Sequence, residues 1–106
     1  MPKYLVTASY TSEGMKGVLS KGGSARRDAV EKTVAELGGR LESFYFAFGD
    51  RDAYVVIDLP DNTAAAAVGM AVSASGMASA TTTVLLTPEE VDKAASASVN
   101  YVAPGS

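Results

Sequence analysis

The residues able to do chemistry in this chain lie in three short stretches. Gly22-Gly23-Ser24-Ala25-Arg26-Arg27 leads a flexible diglycine into a predicted helix start. Free backbone amides there carry partial positive charge, and a hydroxyl and two guanidinium groups lie within one turn, which is one way to hold a carboxylate or phosphate. The same residues also read as an ordinary helix start whose arginines pair with Glu31, Asp50 or Asp52. Gly49-Asp50-Arg51-Asp52 places two carboxylates two residues apart. In an extended segment both point the same way and can share a proton or face a hard cation. In a hairpin turn, aspartates instead bond their own backbone amides. Two carboxylates also fall short of the roughly six to eight oxygen ligands that calcium takes. Asp58 interrupts Val56-Ile57-Leu59 and reads either as a buried acid or base with a raised pKa or, with Pro60 two residues on, as a solvated strand end. Ser24, Arg26, Arg27 and Asp52 form the candidate ligand-binding set, with no candidate metal set. Tyr4, Tyr10, Tyr45 and Tyr54 read as interface aromatics or as hydroxyl donors lining a cavity.

What the chain lacks narrows the chemistry further. It contains no histidine and no cysteine, which excludes imidazole bases, serine–histidine pairs, thiolate nucleophiles and disulfides. Asp, Glu, Tyr and Lys are the remaining acids and bases, and no cofactor motif is present. Nine basic against 12 acidic residues give a net charge of −3, and no basic stripe exists to neutralise nucleic-acid phosphates. The sequence shows no signal peptide and no apolar run near the roughly 20 residues of a membrane span. A soluble cytoplasmic protein is expected.

The elements that must position these residues follow from periodicity. KYLVTASY (3–10) alternates as a strand, with Tyr4, Val6, Ala8 and Tyr10 on one face. Thr11-Ser12-Glu13 starts a short helix with Met15, Val18 and Leu19 as its stripe, weakened by Gly14 and Gly17. After Gly22-Gly23, Ser24 is a second cap candidate for a stronger helix over 25–37, closed by Gly38-Gly39. RLESFYFAF (40–48) is a strand, with Phe44, Phe46 and Phe48 on one face and Leu41, Ser43, Tyr45 and Ala47 on the other. A short hairpin joins it to AYVVIDL (53–59). Asn62 or Thr63 caps an alanine-rich helix over 63–78 whose small side chains allow close approach to a sheet. ATTTVLL (80–86) is the fourth strand, and Thr87-Pro88-Glu89-Glu90 opens a final short helix. The methionines read as core filler.

The order β-α-β-β-α-β plus a terminal helix predicts an α+β fold. It is a ferredoxin-like plait, a four-stranded antiparallel sheet with helices on one face. Residues 1–96 form the domain and 97–106 a C-terminal tail. No strand has a cleanly polar face, so the uncovered side of the sheet predicts a dimer through that face, the alternative being a tail that folds back over it.

Two stretches, GMKGVLSKGGSARRDAVEK (14–32) and LGGRLESFYFAFGDRDAYVVIDLPD (37–61), resemble the GYD domain family of small bacterial and archaeal proteins, with similarity over roughly 3–95. The family's glycine and aspartate map to Gly49 and Asp52. Its tyrosine, in a G-x-Y-D arrangement, is replaced by Arg51, with Tyr45 and Tyr54 nearby but out of register. The resemblance implies a ferredoxin-like fold with dimeric α+β barrel association and no settled activity. Two functional expectations follow. One is a non-catalytic oligomeric module binding a small anionic or aromatic ligand. The other is a small cofactor-independent enzyme of the dimeric α+β barrel type, an isomerase or monooxygenase. A pocket holding a carboxylate with a raised pKa favours the enzyme.

Overall fold

The computed structural model describes residues 1–106. Strand β1 (Lys3–Tyr10) is followed by α1 (Ser12–Lys21), α2 (Gly23–Glu36), β2 (Arg40–Phe46), β3 (Ala53–Asp58), α3 (Asn62–Ser75), β4 (Ala78–Leu85) and α4 (Pro88–Ser96). The four strands form one antiparallel sheet in the order β2-β3-β1-β4. This α+β architecture is consistent with a ferredoxin-like plait.

Local chemistry explains the boundaries. The Thr11 side chain caps α1 by accepting from Gly14 N–H, and Thr87 and Glu90 close a full capping box on α4. Gly22, at φ 89°, both ends α1 and begins α2, a left-handed position that costs glycine little. Ser24 is therefore not the cap of α2: the helix starts at Gly23, one residue before it, and no side chain caps its end. For α3 the cap is Asp61, which accepts from Ala64 N–H at 2.9 Å, because Asn62 is turned to accept from the Tyr4 hydroxyl at 2.7 Å.

The helix side of the sheet holds the core. Tyr4, Ala53, Val55 and Ile57 are buried there with Leu59, Val34 and Ala65. Across the sheet, Tyr4 stands opposite Ile57 and Val6 opposite Val55. Strand β2 departs from simple alternation. A bulge between Leu41 and Ser43 lets Leu41 pair with Ile57 and Phe44 with Val55, so Leu41 shares the helix-side row with Phe44 and Phe46. One extra residue inverts parity, and the assignment of Leu41 to the opposite face is corrected accordingly. Strand β2 also ends at Phe46, and Phe48 lies fully exposed in the connection instead of sharing the face of Phe44. The opposite face carries Leu5, Val56, Tyr45, Tyr54 and Leu85 among threonines and serines. On β4 the row Ser79, Thr81, Thr83 is polar, contrary to the expectation that every strand is apolar on both sides.

The methionines are not core filler, since Met1, Met15, Met70 and Met77 are all exposed. The tail does not fold back: every residue from 97 to 106 is exposed, as is every residue of α4.

Candidate functional site

Small side chains converge over the centre of the sheet. Ala8, Ala53, Ala78 and Ala80 come from the strands, Ala25 and Ala29 from α2, Gly14 and Gly17 from α1, and Ala71 from α3. None reaches far enough to meet its opposite number. The result is a cavity of about 610 Å3 between sheet and helices, walled mainly by apolar residues that include Val18, Val30, Phe44 and Val72. Helix α3 approaches the sheet closely at its N-terminal end, where Ala65 is buried, but farther along Ala71, Val72 and Ser75 face the open volume. The expected close approach of the alanine-rich helix thus holds over one end only. At the other end, Gly14 lets α1 lie against the backbone carbonyl of Met77, where a Cβ would collide. Thr11 secures this contact, its N–H donating to Met77 O at 2.9 Å and its hydroxyl to Gly76 O at 2.9 Å.

The polar groups of the cavity are few and mostly donors. Arg26 and the half-buried Tyr10 both line the cavity, near enough for the guanidinium charge to act on the phenol. Burial pushes the Tyr10 pKa up, with Asp52 adding to the rise and Arg26 opposing it, so the phenol keeps its proton at neutral pH. Lys21 lies on the same rim. Glu13, the carboxylate of the rim, is exposed and paired with Lys16 at 3.3 Å.

The candidate set from the sequence is only partly assembled. Asp52 is bonded to the Tyr10 backbone, where Asp52 Oδ2 accepts from Tyr10 N–H at 2.9 Å, and Arg26 lines the cavity near that tyrosine. Asp52 also donates its N–H to Ala8 O at 2.8 Å and accepts from Ala47 N–H at 2.9 Å. It stitches the β2–β3 connection onto the end of β1. Arg27 lies apart, pairing with its neighbour Asp28 at 3.3 Å and not with Glu31, Asp50 or Asp52. Ser24 is exposed near the start of α2 and does not line the cavity. Asp50 is exposed in the connection, and no group of three acidic side chains converges anywhere. Gly49 has ordinary φ and open space where a Cβ would stand, so its conformation here does not require glycine. Arg51, in the place of the tyrosine, donates from Nη2 to Thr7 O at 2.8 Å and to Ser79 O at 3.3 Å, strapping the ends of β1 and β4.

Asp58 fits neither sequence reading. It is 7% exposed and lies on the face opposite the cavity, between Lys3 and Arg40 in one cross-strand row. Lys3 Nζ donates to it at 2.8 Å and Arg40 Nη2 at 3.1 Å. The Lys3 ammonium, followed by Arg40, holds the Asp58 carboxyl below the usual carboxylate range despite burial. It is a paired structural anion, neither a solvated strand end nor an acid with a raised pKa.

Of the four tyrosines on the strands, Tyr10 lines the cavity, Tyr4 is buried under α3, and Tyr45 and Tyr54 stand on the uncovered face. Sequence reasoning missed that Tyr10 shares the cavity with Arg26 and that Lys21 lines it. The available signal was the inward run of alanines and glycines at Ala8, Ala53, Ala25, Ala29 and Gly14, which left space around them.

The model of the GYD domain family matches residues 4–95. The chain belongs to that family. No curated protein and no solved structure matches it.

Proposed function

We propose that this GYD-domain chain is a non-catalytic oligomeric binding module whose cavity takes a small, largely apolar molecule bearing an anionic group, an aromatic carboxylate being the simplest case. The observation that carries this reading is the cavity of about 610 Å3, mostly apolar in its lining, with Arg26, Lys21 and Tyr10 among its few polar residues. Its size falls within the roughly 300–1,000 Å3 of small-molecule sites, which combine apolar lining with a few placed polar groups. Arg26, free of any carboxylate partner, supplies a planar pair of donors for a carboxylate. Tyr10 adds a hydroxyl donor and Lys21 a second positive charge, while the apolar body of the ligand lies against Val18, Val30 and Val72.

Binding is favoured over a cofactor-independent isomerase or monooxygenase by the make-up of the rim. The carboxylate of the lining, Glu13, is exposed and paired with Lys16, and Asp58, offered by the sequence as an acid or base, lies on the other side of the sheet and is held ionised. The oligomer is proposed to form through that other side, where Tyr45 and Tyr54 are exposed.

Titration with benzoate and phenylacetate, followed by methyl NMR, tests the site. The methyls of Val18, Val30 and Val72 should shift while those of Leu5 and Leu85 stay in place. Arg26→Ala should weaken binding about tenfold, the worth of one charge-assisted hydrogen bond. Ala71→Phe, which fills the cavity, should abolish it. The reading fails if neither acid moves the cavity methyls at millimolar concentration, or if Arg26→Ala leaves the affinity unchanged.

A further inference from the structure

The surface of this chain is too large for its mass. A compact monomer of 10.9 kDa exposes about 5,600 Å2 by the usual scaling, and this one exposes 7184 Å2. Its radius of gyration is 16.8 Å, against about 13 Å for a compact chain of this length. Both excesses lead to the C-terminal segment. The chain leaves edge strand β4 at Leu86, and α4 then runs without any helix or strand packed along it. Helix α4 has nine residues, fewer than the roughly 12–15 an isolated helix needs to persist in water. Yet it carries a full capping box and an apolar position at Val91 that is half exposed. Beyond it Val99, Tyr101 and Val102 are each about three-quarters exposed. The uncovered sheet face, with Tyr45 and Tyr54 exposed, offers a matching surface.

We propose that residues 88–103 form an arm that docks on a second copy of this chain, over the partner's uncovered sheet face. The inference rests on the face-to-face association put forward above and specifies what completes it. The arm does not return to its own sheet, so its own subunit is not the occupant. Area points to a second copy. A standard interface takes about 800 Å2 from each partner. The uncovered face supplies only a few apolar side chains, at about 150–250 Å2 for each tyrosine, and its β4 row is polar. The arm's Val91, Val99, Tyr101 and Val102 make up the remainder. Twofold symmetry then uses each arm and each face once, leaving neither uncovered.

Three measurements on the full chain test this. Sedimentation should show a dimer at micromolar concentration, and Val91→Asp/Tyr101→Asp should raise the dimer dissociation constant at least tenfold. Hydrogen exchange at 88–103 should be slow in the dimer and approach free-peptide rates on dilution to the monomer. Because the chain has no cysteine, chains carrying only Tyr101→Cys can be mixed with chains carrying only Tyr54→Cys and treated with a short bis-maleimide. A covalent heterodimer is expected. A monomer at every concentration removes the face-to-face association and the arm with it. A dimer whose arm exchanges freely, and which the double variant does not weaken, keeps the association but overturns the arm. Slow exchange that persists in the monomer, or absence of the mixed cross-link, places the arm elsewhere and overturns it as well.

Discussion

On the helix side of the sheet Tyr4, Val55 and Ile57 are buried under the helices, while on the other side Tyr45 stands 70% exposed among threonines and serines. Both surfaces come from the same four strands, and Val56 and Ile57 are chain neighbours on opposite sides. The difference between the faces lies in how each treats polar groups. The helix face admits few, with Arg26, Lys21 and Tyr10 among the lining of a mostly apolar cavity. The uncovered face neutralises its charges among themselves, with Asp58 held between Lys3 and Arg40. One side opens on a cavity that holds its few polar groups unpaired by carboxylates, and the other has its charges already matched.

The sharpest way to break this comparison is to truncate the two neighbours separately. Ile57→Ala should destabilise the fold by about 2–5 kcal/mol, the cost of a large-to-small change in a packed core. Val56→Ala should cost about 1 kcal/mol or less in the monomer and act mainly on association. Urea unfolding at low protein concentration measures both, and equal losses would mean that the faces are not distinct. A smaller effect is expected at the charge row. Asp58→Asn should cost about 1.5–3 kcal/mol at neutral pH, since it removes hydrogen bonds to charged donors.

The pH dependence has a defined sign. The folded-state pKa of Asp58 is lowered, so its contribution is present above the ordinary carboxylate value of 3.8 and is lost as pH falls through the lower folded value. Lys3 is raised, first by its bond to Asp58 and then by Glu42, so its contribution is present below the ordinary lysine value of 10.5 and fades only as pH rises through the higher folded value. Between these limits stability should be flat with respect to this pair. Thermal unfolding from pH 2 to 7 should show a steeper acid loss for the natural chain than for Asp58→Asn. The smallest effect belongs to Phe48, an aromatic in contact with no core. Phe48→Ser should leave stability within about 0.5 kcal/mol, and a larger loss would show that the β2–β3 connection packs in solution.

Much of the fold was legible because it is written in local chemistry. Alternation gave β1 its limits at Lys3 and Tyr10, and Thr87-Pro88 with Glu90 marked the start of α4. Errors arose where one residue changes a count or where two segments compete for a side chain. Glu42 in the bulge inverted the face of Leu41, and Tyr4 drew Asn62 away from capping α3. The candidate site was legible in Arg26 and Asp52 but not in their nearness to Tyr10. Tyr10 lies 16 residues before Arg26 and 42 before Asp52, and no periodicity links positions on separate elements.

By itself the sequence determined the order of elements, the caps of α1 and α4 and the range of chemistry open to a chain without histidine or cysteine. These depend on residue type and on spacing within a few turns, where backbone sterics and hydrogen bonding act. Only the tertiary structure decided that the small residues leave a cavity, that Asp58 is a paired anion on the far face, and that Arg51 straps two strand ends. Each of these depends on distances between segments far apart in the chain, and a volume or an ion pair exists only once those distances are set.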